Sequence, residues 1–323
     1  MYKGFQRYEE ILVYRILNFR KMKRVILILV LFIFSLGFSQ HEMLLIASKA
    51  QYDNEGQNDT DAQAFINAVE SHGSLTQTTK DAINDLVVGL KTQSLWDKIH
   101  FAYPLVGSNA EMMKYNLKDP RNLDEAFRLS WLGSGGTFST ANGFAGQGTR
   151  YADTNYIPYE ESVPDDMHMS VYAGSSPTRN SAEIAFGSRS GSDDRFSFEL
   201  AYNTSSYAFD VYECCAPPGR IGGNNGGNPL GYWIATRSSP TNFKVFRDGV
   251  ELGHNTGDRG TNDISSEELA FNTWNDDGSF RTGSTIGTFD WRFCSVGSSL
   301  TDTEATNLLN AVQTFQEALG RGI

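Results

Sequence analysis

Two hydrophobic periodicities divide the chain. Near the N-terminus, apolar positions recur at helical spacing. Ala62, Phe65, Ile66 and Val69 share one face after Thr60-Asp61-Ala62-Gln63, a capping-box pattern, and Gly73 marks the stop. A second stripe, Ala82, Ile83, Leu86, Val87 and Leu90, begins near Thr78 and can run on through Leu95, Trp96 and Ile99. From about Phe101 the period becomes two. Phe127/Leu129/Trp131, Met167/Met169/Val171, Phe196/Phe198/Leu200/Tyr202 and Tyr207/Phe209/Val211 each alternate with other residues, which predicts antiparallel strands with one buried face. Asp248-Gly249 between two short β-prone runs predicts a hairpin. A last helical stripe, Ala305, Leu308, Leu309, Val312, Phe315 and Leu319, follows the capping box Thr301-Asp302-Thr303-Glu304 and stops at Gly320. The expected architecture is mainly β: a two-sheet antiparallel jelly-roll sandwich with two N-terminal helices and one C-terminal helix.

The longest apolar run, Val25–Phe34, continues to Phe38 and is too short to span a bilayer as a helix, which takes roughly 20 residues. Met22-Lys23-Arg24 precedes it and Gly37-Phe38-Ser39 follows it, the layout of a secretory signal peptide cut before Gln40. Residues 1–39 are therefore expected to be a leader, with 1–21 an upstream extension. A linker at 40–59, a helical lead-in at 60–105 and the sandwich at 106–323 complete the expected organisation. A secreted or cell-surface location follows, without a membrane segment after cleavage.

The leader also changes the charge picture. The chain carries 27 basic and 38 acidic residues, a net charge of -11. Seven basic and two acidic residues fall in 1–40, so 20 basic and 36 acidic residues remain, a net of -16. So acidic a body repels phosphate backbones, which excludes nucleic acid as the expected partner. The cysteines leave alternatives open. One of Cys214 and Cys215 could bridge to Cys294, or all three could be structural thiols.

The stretch Ala82–Gly133, Tyr151-Ala-Asp-Thr154 and the ending Ser299–Arg321 resemble a domain recurring in phage structural proteins and secreted flavobacterial proteins. That domain is similar to the concanavalin A-like lectin/glucanase superfamily, which includes laminin-G-like adhesion modules. The resemblance implies a two-sheet jelly roll over nearly the whole mature chain. It implies no particular activity, since lectins, adhesion modules and glycosidases share the fold.

Catalytic signals are sparse. A glucanase of this type needs carboxylates at alternate positions of one strand, and no E-x-D-x-E run occurs; Asp210 and Glu213 sit at the wrong parity. Gly187-Ser-Arg189-Ser-Gly191 has arginine where a nucleophile elbow needs serine. Sugar binding would use aromatic faces beside amides and carboxylates. Two such patches are read from the sequence: Tyr232 and Trp233 with Asn224 and Asn225, and Trp274 with Asn275 and Asp276. The apolar setting of Trp233 also fits a core position, whereas the polar flanks of Trp274 predict exposure. Calcium is a candidate cofactor, with Asp193-Asp194, Asp258, Asp263 and Asp276-Asp277 as oxygen donors, although the acidity fits solvated charge as well. The expected function is a noncatalytic lectin-like or adhesion module for a glycan or a cell-surface protein. A polysaccharide hydrolase or lyase, or a virion or surface structural protein, is the alternative.

Overall fold

Asp59, one residue before the expected cap, starts the first helix. Its carboxylate accepts from the Asp61 amide, and helix α1 runs Thr60–Glu70. The computed structural model describes residues 58–146, 149–163, 165–175, 183–191, 194–203, 205–212, 219–257, 263–282 and 286–323. Residues 58–323 form one unit of packed chain; the expected leader and most of the linker lie outside the described residues, as do Cys214 and Cys215. Among the described residues no helix is long and apolar enough to cross a membrane.

Helix α2 spans Gln77–Thr92 behind the Thr76 cap and does not extend to Ile99. Ser94 takes a positive φ, and the amides of Ser94 and Leu95 close back on Lys91 and Leu90, which ends the helix in a Schellman turn. A 3-10 turn at Trp96–Lys98 then leads into strand β1, Ile99–Tyr103. The segment expected as a helical lead-in thus also supplies a strand. The alternation at Phe127–Trp131 is likewise shorter as a strand than as a pattern. Phe127 sits in the left-handed region after a 3-10 turn, and β2 covers only Ser130–Leu132.

Next come β3 (Thr137–Ser139), β4 (Gly143–Ala145), β5 (Tyr151–Asp153) and a short helix α3 (Pro158–Glu161). The long strands are β6 (Met167–Ala173), β7 (Glu183–Ser190), β8 (Asp194–Asn203), β9 (Ser206–Tyr212), β10 (Arg220–Asn224), β11 (Gly231–Ser239), β12 (Asn242–Arg247) and β13 (Val250–Asn255). After three two-residue strands, β14 (Ala270–Phe271), β15 (Asn275–Asp276) and β16 (Ser279–Phe280), the chain ends in β17 (Asp290–Gly297) and helix α4 (Asp302–Ala318). The predicted hairpin joins β12 to β13, with Asp248 at φ 50° and Gly249 at φ 79°, the two positive angles of a type I′ turn.

The strands form two sheets. Sheet A has the order β13-β12-β11-β6-β17-β4-β3, with β1 pairing along β17; sheet B has the order β10-β9-β8-β7-β14-β5-β2, with β15 and β16 attached beside β7. Apart from the short parallel pairing of β15 with β7, the pairings are antiparallel. The molecule is a mainly-β, two-sheet sandwich carrying helices, as its alternation predicts. Phe196, Phe198 and Leu200 of β8, Phe209 and Val211 of β9, and Trp233, Val245 and Trp291 of sheet A fill the space between the sheets.

One expectation fails for sheet A. Its central strands β6, β11 and β17 bury both faces, because the helices cover the side turned away from sheet B. Every residue of β6 is buried as a result. The polar members of that hidden face pair among themselves. The Tyr232 hydroxyl donates to Ser170 Oγ (2.9 Å), Ser170 meets Ser295 Oγ (2.6 Å), and Ser295 reaches His168 Nε2 (3.2 Å). The other His168 nitrogen lies 2.6 Å from the Ser298 carbonyl. Burial pushes the His168 pKa down to about 4, so the ring is neutral and structural at physiological pH. Cys294 is a free thiol in the intersheet core and forms no bridge, which removes the Cys294 disulfide from the alternatives.

Candidate functional site

The first predicted patch is dispersed by strand geometry. Tyr232 and Trp233 are neighbours on β11, so their side chains leave on opposite faces. Tyr232 points under the helices, while Trp233 enters the intersheet core with its indole N–H on the Pro229 carbonyl (2.7 Å). Asn225 is buried as well. Its amide donates to the Leu200 carbonyl (2.8 Å) and its oxygen accepts from the Gly227 amide (2.9 Å). Asn224 is exposed on β10. No sugar platform exists here, because both rings and Asn225 are consumed by the fold.

The second patch lies on the outer face of sheet B, where period two sends the polar residues of β8, β9 and β10. Gly187 of β7 pairs with Ser197 of β8, Ser197 with Asp210 of β9, and Asp210 with Arg220 of β10. The four positions form one row across four strands. Trp274 lies at its Gly187 end, where a Cβ on the glycine would sit 2.8 Å from the indole Cδ2. Glycine there is what lets the indole lie down on the sheet. Trp274 is consequently 5% exposed, against the exposure expected from its polar neighbours. Gly187→Ala should lift the indole and cost about 1–3 kcal/mol of stability by overpacking. A chemical melt with tryptophan fluorescence checks this, and an unchanged midpoint and spectrum would refute the contact.

Two guanidiniums lie over the Trp274 ring, Arg195 at 5.2 Å and Arg281 at 5.9 Å from its centroid. Asp276 bridges Arg189 and Arg281, each at 2.5 Å, and Asp277 accepts from the Gly191 amide at 2.7 Å. Asn275 is buried and donates to the Glu268 carbonyl (3.0 Å). Trp274 and Asp276 thus belong to a charged cluster, whereas Asn275 serves the backbone beneath it.

At the other end of the row, Arg220 grips Asp210 with both prongs, Nε to Oδ1 and Nη2 to Oδ2, each 2.5 Å. Burial works against the Arg220 charge, and the Asp210 carboxylate outweighs it, leaving the guanidinium pKa raised. The Arg220 guanidinium also covers the Tyr202 ring at 4.7 Å. Tyr202 continues the inward parity of Phe196, Phe198 and Leu200, yet it is 47% exposed. A register shift between Glu199 and Asn203 in the β8–β9 pairing breaks that parity and accounts for the change of face.

Glu199 stands two residues beyond Ser197 on the same face and diagonal to Asp210, opposite the methyl of Ala208. It is 3% exposed and accepts no hydrogen bond from a described residue. Burial, and after it the Asp210 charge, push its pKa up to about 7, with Arg220, Arg195 and Arg281 pulling the other way. Arg195 is the second uncommitted group. Its closest carboxylate oxygen, on Asp210, is 3.9 Å away, and its buried Nε has no acceptor. The floor of this face, Ser197, Asp210 and Glu199, is buried, while Arg281, Asp277 and Tyr202 at its margins are exposed.

No protein-family model matches the chain, and no curated protein matches it. Among solved structures it is similar to the binding domain of botulinum neurotoxin serotype D, at 9% identity and a TM-score of 0.46. That match covers 67% of this chain and 52% of the toxin domain. It is similar to the same serotype's ligand-binding domain in complex with N-acetylneuraminic acid, at 8% identity, TM-score 0.45 and coverage of 67% and 51%. The NanB sialidase of Streptococcus pneumoniae matches at 12% identity and TM-score 0.35, covering 47% of this chain and 25% of the enzyme. The chain thus spans about half the length of the toxin domains and a quarter of the sialidase.

Two other candidate sites carry less. Among the described residues no group of three or more His, Cys, Asp or Glu side chains is placed to hold a metal ion. Of the expected calcium donors, Asp193 and Asp258 lie outside the described residues, and Asp276 is committed to arginines. An open cleft of about 380 Å³ lies at the N-terminus of α4, between Thr236, Asn242, Lys244 and Thr303. Its cation, Lys244, is already paired with Asp302 (2.8 Å) and Glu251 (3.2 Å).

Proposed function

We propose that this chain is a concanavalin A-like, noncatalytic glycan-binding module, exported to the cell surface or medium, whose ligand lies across the outer face of sheet B. The observation that carries the reading is the row Trp274/Gly187–Ser197–Asp210–Arg220 with Tyr202 and Arg195 at its sides. The exposed Tyr202 ring and the guanidiniums of Arg195, Arg220 and Arg281, set on a buried floor of Trp274 and Ser197, match what a sugar presents, an apolar ring face edged by hydroxyls. A glycan array probed with residues 40–323, with and without calcium, tests it. Binding that is lost in Tyr202→Ala, in a variant that melts like the parent, is the expected result. An array blank under both conditions overturns the proposal.

One observation favours a hydrolase or lyase instead: two carboxylates, Glu199 and Asp210, meet on neighbouring strands, one of them with its pKa near neutrality. Against it stands the bidentate Arg220, which holds both oxygens of an Asp210 that has no exposed surface. Release of reducing ends from any arrayed polysaccharide, abolished by Glu199→Gln, would replace the binding reading with the enzymatic one.

A further inference from the structure

We propose that the sugar taken by this face carries a carboxylate, with Arg195 as its cation and Glu199 as its hydrogen-bond partner. This rests on the glycan-binding reading and goes beyond it by naming the ligand's charge.

The argument is one of unspent valences. Four arginines converge on the outer face of sheet B, and three are matched by local acids. Arg220 has Asp210, and Arg189 and Arg281 share Asp276. Arg195 alone of the four has no carboxylate closer than 3.9 Å and donates no hydrogen bond to a described residue. Its guanidinium lies over Trp274 at 5.2 Å from the ring centroid, its side chain is 15% exposed, and its Nε is buried without an acceptor. Leaving such a group with only the long 3.9 Å contact to an Asp210 already held by Arg220 is costly, and a planar carboxylate is the ligand that matches its fork. Glu199 stands four residues along the same strand on the same face, so both groups are presented by one element.

The two groups also explain each other. An ionised Glu199 would be a rival anion for Arg195 and would repel a carboxylate ligand. The groups that face it are Asp210 on β9, Arg220 on β10, Arg195 on its own strand and Arg281 after β16. Burial and Asp210 favour the acid form, in which the carboxyl O–H donates to an incoming carboxylate oxygen. The net charge of -16 on residues 41–323 opposes an acidic ligand only at long range, where physiological salt screens it within about 8 Å. The short-range match decides.

The test is a calorimetric titration of residues 40–323 with two acidic probes, a galacturonate oligomer and a sialyl-oligosaccharide. Each is paired with the same sugar after its carboxyl is reduced to an alcohol. The two arms separate a uronate from a nonulosonate source. One acid probe should bind at least tenfold more tightly than its neutral twin, and Arg195→Gln should lose roughly 10–100-fold, the span of a charge-assisted hydrogen bond. Affinity should fall about tenfold between pH 6 and pH 8 as Glu199 ionises, and Glu199→Gln should flatten that profile. Neutral sugars binding as well as their acidic forms, or Arg195→Gln binding like the parent, overturns the inference and leaves a glycan module standing. If neither form of any sugar binds here or on the array, both readings fall together.

Discussion

Substitution of Arg321 by methionine is expected to lower the free energy of unfolding by about 3–5 kcal/mol. Gly320, at φ 66°, closes helix α4 in a Schellman turn and aims Arg321 back into the protein. There Nε donates to Gln316 Oε1 (2.6 Å), Nη1 to the carbonyls of Leu105 (3.1 Å) and Thr140 (2.8 Å), and Nη2 to those of Pro104 and Arg292 (both 2.8 Å). Each of the five N–H groups of a guanidinium thus has its acceptor. Burial, and then the Arg292 charge, push the pKa down to about 9, which leaves the group protonated at neutral pH. Methionine keeps much of the volume and removes every donor, so four carbonyls lose a partner. Lysine keeps the charge, but its three donors diverge from a single atom and cannot reproduce the planar fork, so Arg321→Lys should also lose most of the stability. Urea denaturation of the three proteins measures this. A methionine variant within 0.5 kcal/mol of the parent would show that the clamp contributes nothing net.

Glu199→Gln should move stability in the opposite direction, and only at high pH. The folded-state pKa of about 7 exceeds the ordinary value of 4.5, so the native state holds a proton that the unfolded chain gives up. Stability attributable to this group is therefore complete below about pH 4.5, declines as pH rises, and is lost once pH passes 7. The difference corresponds to about 3 kcal/mol at most, and an uncompensated amide in the same place returns part of it. The glutamine variant is expected to be more stable than the parent by about 2 kcal/mol at pH 8 and equal to it or weaker at pH 4.5. Paired urea melts at the two pH values check the crossing. Parallel pH profiles for the two proteins would mean that Glu199 ionises normally in the fold.

The same residue shows what could be read from the chain and what could not. The apolar partners Phe196, Phe198 and Leu200 announce strand β8 by period alone, and the capping box at Thr301 places α4 to the residue. Arg195, Ser197 and Glu199 are the outward positions of that pattern and were visible as such. Their meaning depends on register, since only the pairing of Ser197 with Asp210, and of Asp210 with Arg220, assembles the site. Register is a long-range property that local spacing does not encode. Burial of Trp274 was illegible for a related reason: its bed is Gly187, far away in sequence, and a glycine advertises nothing about what lies on it. Tyr232 and Trp233 form no patch because strand parity sends their rings to opposite faces of sheet A. The second buried face of β6 was hidden because its polar residues, His168 and Ser170, look like solvent positions until helices cover them.

The place of β17 in sheet A has a consequence for synthesis. This strand stands between β6 on one side and β1 and β4 on the other, and it pairs with segments that precede it by more than a hundred residues. Until residues 290–297 leave the ribosome, a nascent chain has two half-sheets with open edges facing one another and no strand to join them. Such edges are templates for pairing with other chains, and a topology closed by its latest segment folds slowly. The two halves of sheet A are thus open to pairing with other chains until β17 joins them, and a chain in which residues 290–297 fail to pair carries both edges exposed.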